Sequence, residues 1–506
     1  MNRAQKFRLS SLMALIRQLV TILCGFILPA YILQTYGSAI NGLVSSITQF
    51  LAFITLLEMG IGPVIQSNLY KPLAQGDMEQ VSKIIASSIK FFHRIAYIFI
   101  GYIVFLFFCY PLLVQNSFDW LFSASLILII SLGTLTQYYF GISFSFLLSA
   151  DQRNYVPLAI QTAVIALNTL SGVILMKAGA SIHVVQLAMA FIFMLRPLVL
   201  TLYVKKRYVI DEKITYDVEP IKQKWNGFAQ HFAAVVTANA DVVILTTFST
   251  LENVSIYAIY ALAVNGMTSV VVSFTTGLSS MWGNMLARDQ LDTLKKSFAQ
   301  AEFVTHFAVT WAFATTAALI VPFVMVYTRN ISDADYYAPL FAQIFTAAYG
   351  IRCLRIPYLC ITHAAGHYKE TQNGAFIQMI LNLVLSLALV KHFGLAGVAI
   401  GTFAAMAYHT FYFAHYLEKT LLNRDIKIFL KYLAVDTLTA ALIYFALQNV
   451  QLSDVTYQAW FILAVKASVI ALGISVLVNL IFFRKYVINF WEFISAKLKA
   501  ITQRLC

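Results

Sequence analysis

The sequence predicts an all-α membrane protein with about fourteen transmembrane helices. Three observations carry that prediction. The 506-residue chain is 60% hydrophobic and only 11% charged, with a mean hydropathy of +0.76, a balance that no soluble domain of this length carries. Apolar runs of helix length recur along the whole chain. Lysine and arginine concentrate in alternate connections between those runs. Each run must be helical, because hydrocarbon offers no hydrogen-bond partner to an open backbone.

In order, the runs cover 9–33, 39–67, 84–110, 119–149, 155–176, 182–204, 223–248, 254–285, 298–327, 336–362, 372–390, 395–417, 428–447 and 458–483. One set of connections begins with Arg3, Lys6 and Arg8. It runs through Arg153, Lys205, Lys206 and Arg207 to Arg484 and Lys485, and holds 27 basic residues; the other set holds only Lys177, Arg329 and Lys391. This bias predicts that both termini are cytoplasmic. It also accounts for the net charge of +13. The basic residues are dispersed in short loops, so a nucleic-acid partner is excluded.

The remaining composition narrows the function. Cys24, Cys109, Cys353, Cys360 and Cys506 show neither a disulfide framework nor metal spacing. No phosphate-binding loop, dinucleotide fingerprint or nucleophile–base pattern is present. The reading is therefore a protein without metal or cofactor, and not an enzyme. The connections are short, the longest external one lying around Arg329–Asp335. Any function must reside within the helical bundle. The first run is too long for a signal-peptide core and is read as a retained span.

The chain also repeats. A shift of 214 residues sets Asn168 on Asn382, Lys177 on Lys391 and Lys205 on Lys419; a shift of 215 sets Gly62 on Gly277 and Asp77 on Asp292. Six spans per repeat give two lobes that enter the membrane in the same sense, related by a pseudo-two-fold along the membrane normal. The predicted division is an N-lobe at 1–207, a cytoplasmic inter-lobe loop at 208–222 and a C-lobe at 223–420. Two extra helices follow at 421–483, then a basic amphipathic cytoplasmic tail at 484–506.

Charges inside the spans are the candidate functional groups. Arg17 lies nine residues past Arg8, roughly 13 Å along a helix and about halfway into a ~30 Å hydrocarbon core. A guanidinium stays protonated there. It either snorkels to the headgroups or a structural partner, or it meets an anion in a transport pathway. Arg352 and Arg355 sit three apart on one face of the tenth span, before Pro357. They suit a pyrophosphate or a carboxylate, against the same snorkelling alternative. The 214-residue shift sets His231 on Arg17, giving the first helix of each half a cation; the plainer reading of His231 is a polar helix residue. Glu58, in Glu58-Met-Gly-Ile-Gly-Pro63, is read as an arginine's partner or a coupling-proton carrier, where Gly60, Gly62 and Pro63 should bend the second helix. Asp241 is a coupling-ion ligand or a counter-charge. Arg196, beside Pro197, is read as snorkelling.

Several segments carry a resemblance over nearly the whole chain. They are Tyr36-Gly-Ser-Ala-Ile-Asn-Gly-Leu43, Glu58-Met-Gly-Ile-Gly-Pro63 running into Leu73-Ala-Gln-Gly-Asp77, and Asp241-Val-Val-Ile-Leu245 followed by Val254-Ser-Ile-Tyr257. The last is Asn382-Leu-Val-Leu385, continuing to Phe393-Gly-Leu-Ala-Gly-Val-Ala-Ile-Gly-Thr402. In order and spacing the chain resembles the polysaccharide flippases of the multidrug/oligosaccharidyl-lipid/polysaccharide (MOP) superfamily. The resemblance implies two six-helix lobes, alternating access, and transfer of an undecaprenyl-pyrophosphate-linked oligosaccharide from the inner to the outer leaflet of a bacterial cell membrane. It further implies coupling to H+ or Na+, contact with membrane lipids, and work alongside polysaccharide polymerase machinery. The pyrophosphate-holding role passes to Arg17, Arg352 and Arg355, with His231 as a further cavity cation. Two rivals share the superfamily or its shape: a lipid II flippase of peptidoglycan synthesis, and a multidrug exporter.

Overall fold

The computed structural model of the chain describes residues 3–58, 60–221, 228–275, 278–450, 452–489, 492 and 495. Helices fill them: α1 (Arg3–Tyr36), α2 (Ser38–Ala52), a 3₁₀ segment (Phe53–Glu58), α3 (Ile61–Gln75), α4 (Met78–Val114), α5 (Trp120–Phe140), α6 (Ile142–Ala150), α7 (Tyr155–Lys177), α8 (Ile182–Arg207), α9 (Phe228–Phe248), α10 (Leu251–Thr275), α11 (Leu278–Ala287), α12 (Leu291–Tyr327), α13 (Pro339–Leu354), α14 (Ile356–Ala364), α15 (Tyr368–Leu417), a π-turn (Glu418–Leu422), α16 (Lys427–Leu447) and α17 (Tyr457–Phe482).

Thirteen of these stretches are long and apolar enough to cross a membrane. One of them contains α15, a run of 50 residues that as a straight rod would measure about 75 Å, more than twice a ~30 Å core. It is not straight. Gly394 leaves the helical region at φ 52°, ψ −126°, a conformation glycine adopts without a Cβ penalty. The two arms are the eleventh and twelfth spans of the sequence, which brings the number of passes to fourteen.

Among the described residues, three spans are broken within their length. The second passes from α2 through the 3₁₀ segment to α3, with Gly60 left-handed at φ 69°; the glycines and proline there predicted a bend. The fourth breaks at Gly141 between α5 and α6, and the tenth at Arg355 between α13 and α14. These two positions are 214 residues apart, the shift of the repeat. Each half thus breaks its fourth helix at the same place.

The chain forms two compact units, Met1–Ala258 with Asn330–Ala334, and Ile259–Arg329 with Asp335–Cys506. In the first unit α1 lies on α7, α7 on α8, α8 on α5, α5 on α4, and α9 on α2. Leu43, Ile47, Phe92, Phe99, Leu126 and Ile127 are among the core residues. Gly42 is needed where α2 meets the start of α10: a Cβ there would come within 1.8 Å of the Leu251 carbonyl oxygen. Asp333 accepts from the Ser38 amide at 2.7 Å and its hydroxyl at 2.6 Å, so its carboxylate caps α2, where a negative charge suits the helix dipole. In the second unit α12 lies against α13, α16 and α17. Trp282, Phe298, Tyr358 and Phe413 pack at one end of it and Ile443, Leu463 and Ala467 at the other.

In each unit the segment after the sixth helix reaches back to the third. Glu219 accepts from the Ser87 hydroxyl of α4, and Arg424 donates to Glu302 of α12; Ser87 and Glu302 are 215 apart in the chain. The start of the seventh span (222–227) and most of the tail (490–491, 493–494 and 496–506) lie outside the described residues. Cys24, Cys109, Cys353 and Cys360 are free thiols.

Loop residues close the first unit. Lys6 and Arg153 pair with Asp151, which also accepts from the Tyr208 hydroxyl. Burial works against the charged carboxylate, but the hydrogen bonds from Tyr208 and Arg153 and the charge of Lys6 outweigh it and hold Asp151 below the usual carboxylate range. A lowered carboxyl stabilises the fold above its unfolded value and loses that effect as pH falls through the folded one. Asp151→Asn should lower the thermal midpoint at pH 7 by about 1–2 °C, from roughly 1 kcal/mol. The gap to wild type should close below about pH 4; a midpoint series between pH 3 and pH 8 reads both.

Candidate functional site

Arg17 lies midway along α1. The exposed stripe of that helix is Leu12, Leu15, Leu19, Leu23 and Ile27. Arg17 is two residues from both Leu15 and Leu19, about 160° round the helix from each. It therefore faces away from the leucine stripe. Its Nε is buried with no hydrogen-bond partner.

A second arginine lies at the helix break at Gly141. A Cβ on Gly141 would lie 2.5 Å from the Cβ of Pro197, so α5 and α8 cross at near-backbone contact. Arg196 sits beside that crossing. Its Nη1 donates to Gln137 Oε1 at 3.3 Å, and the charge of Arg17 acts on it. Neither guanidinium has a carboxylate partner among the described residues. Arg196, read from the sequence as a snorkelling residue, has Gln137 as its hydrogen-bond partner. A guanidinium at the centre of a bilayer costs about 3 kcal/mol, and repulsion between two like charges adds to the cost. Water or an anionic group is the natural counterpart.

The second unit places a guanidinium at the matching seam. Arg355 is the residue of the break between α13 and α14, and its Nη1 donates to Nδ1 of His409 on α15. With Nδ1 accepting, the His409 proton sits on Nε2, which is buried and unpartnered. Nε2 of His363 is likewise buried and unpartnered; its ring stacks on Tyr368 at 4.6 Å. The charge of Arg355 acts on both histidines. Arg352 goes elsewhere: it is exposed, with its guanidinium 5.5 Å from the Tyr349 ring. The two arginines three apart therefore have different surroundings, one seated in the bundle and one open. Under the 214-residue shift Gln137 falls on Ile351 and Arg196 on Thr410, and Thr410 Oγ1 donates to the Ile351 carbonyl at 3.0 Å. The same pair of helices is joined in both halves, but the arginine comes from α8 in one and from the break residue in the other.

The other sequence candidates each have a hydrogen-bond partner among the described residues. His231 Nε2 donates to the Thr55 carbonyl at 2.8 Å, tying α9 to the 3₁₀ segment. Glu58 accepts from the Tyr138 hydroxyl rather than from an arginine. Asp241, 3% exposed, accepts from the Tyr257 hydroxyl at 3.0 Å.

The structure adds charged groups that the sequence reading passed over. Glu302 is fully buried and is held by Tyr358 and Arg424; Arg424 also grips Glu418 through two hydrogen bonds, and lies 5.1 Å from the Phe298 ring. His306, one turn on from Glu302, pairs with Asp436 of α16. Glu302 and His306 are four apart in one apolar run, a spacing that puts both on one helix face and was the signal available.

The fold has counterparts among solved structures. The chain is similar to a lipid II flippase, MurJ, in its inward closed conformation, with a TM-score of 0.71 at 14% identity over 95% of this chain and 99% of that one. The fold is that of the MOP transporters. The chain is also similar to VcmN, a MATE transporter of Vibrio cholerae, at TM-score 0.59 and 14% identity over 84% of this chain and 98% of that one. A multidrug resistance MATE transporter in its outward-facing conformation gives 0.60 at 11% identity, over 84% and 97%. No protein-family profile and no curated protein sequence matches the chain.

Within this MOP fold the uncompensated arginines differ sharply from Arg424, whose charge is answered twice. Removing one member of such a buried network leaves the others unpaired, at about 3–5 kcal/mol. Arg424→Ala should lower the thermal midpoint in detergent well below that of Arg17→Ala, Arg196→Ala or Arg355→Gln. Equal midpoints across the four variants would show that the pairing carries no stability.

Proposed function

We propose that the chain moves a lipid-linked oligosaccharide on an undecaprenyl-pyrophosphate carrier from the cytoplasmic to the outer leaflet of a bacterial inner membrane. It acts by alternating access of two lobes, for surface polysaccharide synthesis, as a transporter and not an enzyme. The observation that carries this reading is the set of intramembrane guanidiniums, Arg17 with Arg196 and Arg355, that have no carboxylate partner among the described residues. A pyrophosphate headgroup bearing sugars needs positive charge and water to leave one leaflet for the other, while its tail stays in lipid. A carrier of organic cations would need the opposite sign of charge. The exposed Arg352 and the hydrogen-bonded His231 extend the cationic set.

The orientation in this proposal rests on the 27 to 3 distribution of basic residues. The lobes are the two six-span repeats, 1–207 and 223–420, joined by the 208–222 loop. H+ or Na+ is the resetting ion, with Glu58 and Asp241 as candidate carriers, and membrane lipids and polymerase machinery are the partners. A second reading, lipid II as the substrate, is favoured by the likeness to MurJ over almost the full length of both chains.

Reconstituted protein would be given a labelled undecaprenyl-pyrophosphate glycan in one leaflet, and its appearance in the other would be followed. Wild type should expose it, and Arg17→Ala and Arg355→Gln should each slow exposure at least tenfold, the effect of losing one charged hydrogen bond of about 1.5 kcal/mol. No exposure by wild type under imposed proton or sodium gradients would overturn the proposal. Depletion in cells separates the substrates: lethality points to lipid II, and a conditional surface defect to a polysaccharide unit.

A further inference from the structure

We propose that His306 and Asp436 form a proton-binding site that couples proton movement to transport. The coupling role rests on the transport reading above; the site itself does not. His306 of α12 is 2% exposed and Asp436 of α16 is 14% exposed. Nδ1 of His306 lies 2.6 Å from Oδ2 of Asp436, and Thr310, one turn further along α12, donates its hydroxyl to Oδ1 at 2.8 Å. Both carboxylate oxygens are thus engaged. The imidazole stacks on Tyr432 with 4.7 Å between ring centres and 25° between planes, and meets Phe429 edge-on at 6.1 Å. Its second nitrogen, Nε2, is buried with no hydrogen-bond partner.

In its neutral form the imidazole has a second nitrogen that can take one further proton. With Nδ1–H donated to Asp436, Nε2 carries an unused lone pair. A proton arriving from water forms one N–H bond there, and the pair changes from one net negative charge to none. It leaves by the reverse step. A buried nitrogen without a hydrogen-bond partner is unfavourable, and a purely mechanical link between α12 and α16 would gain by giving it one. Asp436 is the less buried partner, and the aromatic rings shield the imidazole.

Charged and titratable groups from several elements surround the pair. On α12 itself Glu302 lies one turn away, and from α14 Tyr358 meets that carboxylate. The π-turn supplies Glu418, and the loop after it Arg424, which answers both acids. On α16 Tyr432 senses Glu302, Arg424 and Asp436, and also Tyr486, which follows α17. Two carboxylates against one guanidinium leave a net negative charge beside the pair. Among the described residues no interaction from α13 or α17 reaches the imidazole.

Two measurements test this. Solid-state NMR of 15N-histidine-labelled protein in bilayers, with His306→Gln for assignment, reads the imidazole directly and needs no substrate. The His306 signal should pass from neutral to imidazolium between pH 9 and pH 5, with the transition displaced in Asp436→Asn; a signal unchanged over that range overturns the site. In the leaflet assay an inward proton gradient should speed glycan exposure by wild type at least fivefold. His306→Gln and Asp436→Asn should keep the gradient-free rate and lose the acceleration. Acceleration surviving in His306→Gln and in Asp436→Asn overturns the coupling role. Wild type that exposes no glycan at all overturns the transport reading and the coupling with it, and the proton site is then decided by the NMR result alone.

Discussion

Inside hydrocarbon a polar group cannot fall back on water, so each one must find its partner within the protein or in what the protein binds. The fold follows from that constraint. Backbone groups meet it by forming helices, and the breaks of the fourth and tenth spans are each seated against another helix. Gly141 breaks α5 from α6 directly beneath Pro197. Arg355 occupies the matching break and turns its side chain to His409. Gly394 reverses the chain in the middle of a run that would otherwise be twice too long for the membrane.

Side-chain charges divide by the same criterion. Asp151, Glu302, Glu418, Arg424, Asp436 and His306 all have charged or strongly polar partners, most of them joining distant elements. Such networks lock one helix to another, and removing one member strands the rest. Arg17, Arg196 and Arg355 are held by neutral groups or by none. A membrane protein bears that energetic penalty where the missing counter-charge arrives with a ligand, which is why these three residues carry the functional proposal.

The two repeats solve one problem in two ways. Each joins its broken fourth helix to its sixth, and each leaves a guanidinium at the junction. In the first unit it is donated by α8, with Gln137 accepting; in the second it comes from the break residue, with His409 accepting. An identity-based comparison of the halves finds neither arginine, since they do not align. Only the three-dimensional seam shows them to be equivalent.

Much of this architecture was legible in the chain. The number of passes, their helical form, the bend after Glu58 and the turn near Lys391 are properties of local segments, set by hydropathy, glycine and proline. Arg17 was visible for the same reason, as a single charge in an apolar run. The roles of Arg196, His306 and Asp436 were not. Gln137 is 59 residues from Arg196, His409 is 54 from Arg355, and Asp436 is 130 from His306. A segment's preference for lipid depends on its own composition, so the linear sequence decides where the helices lie. Whether a buried charge is answered or left open depends on residues brought to it from elsewhere in the chain, and that was decided only by the tertiary structure.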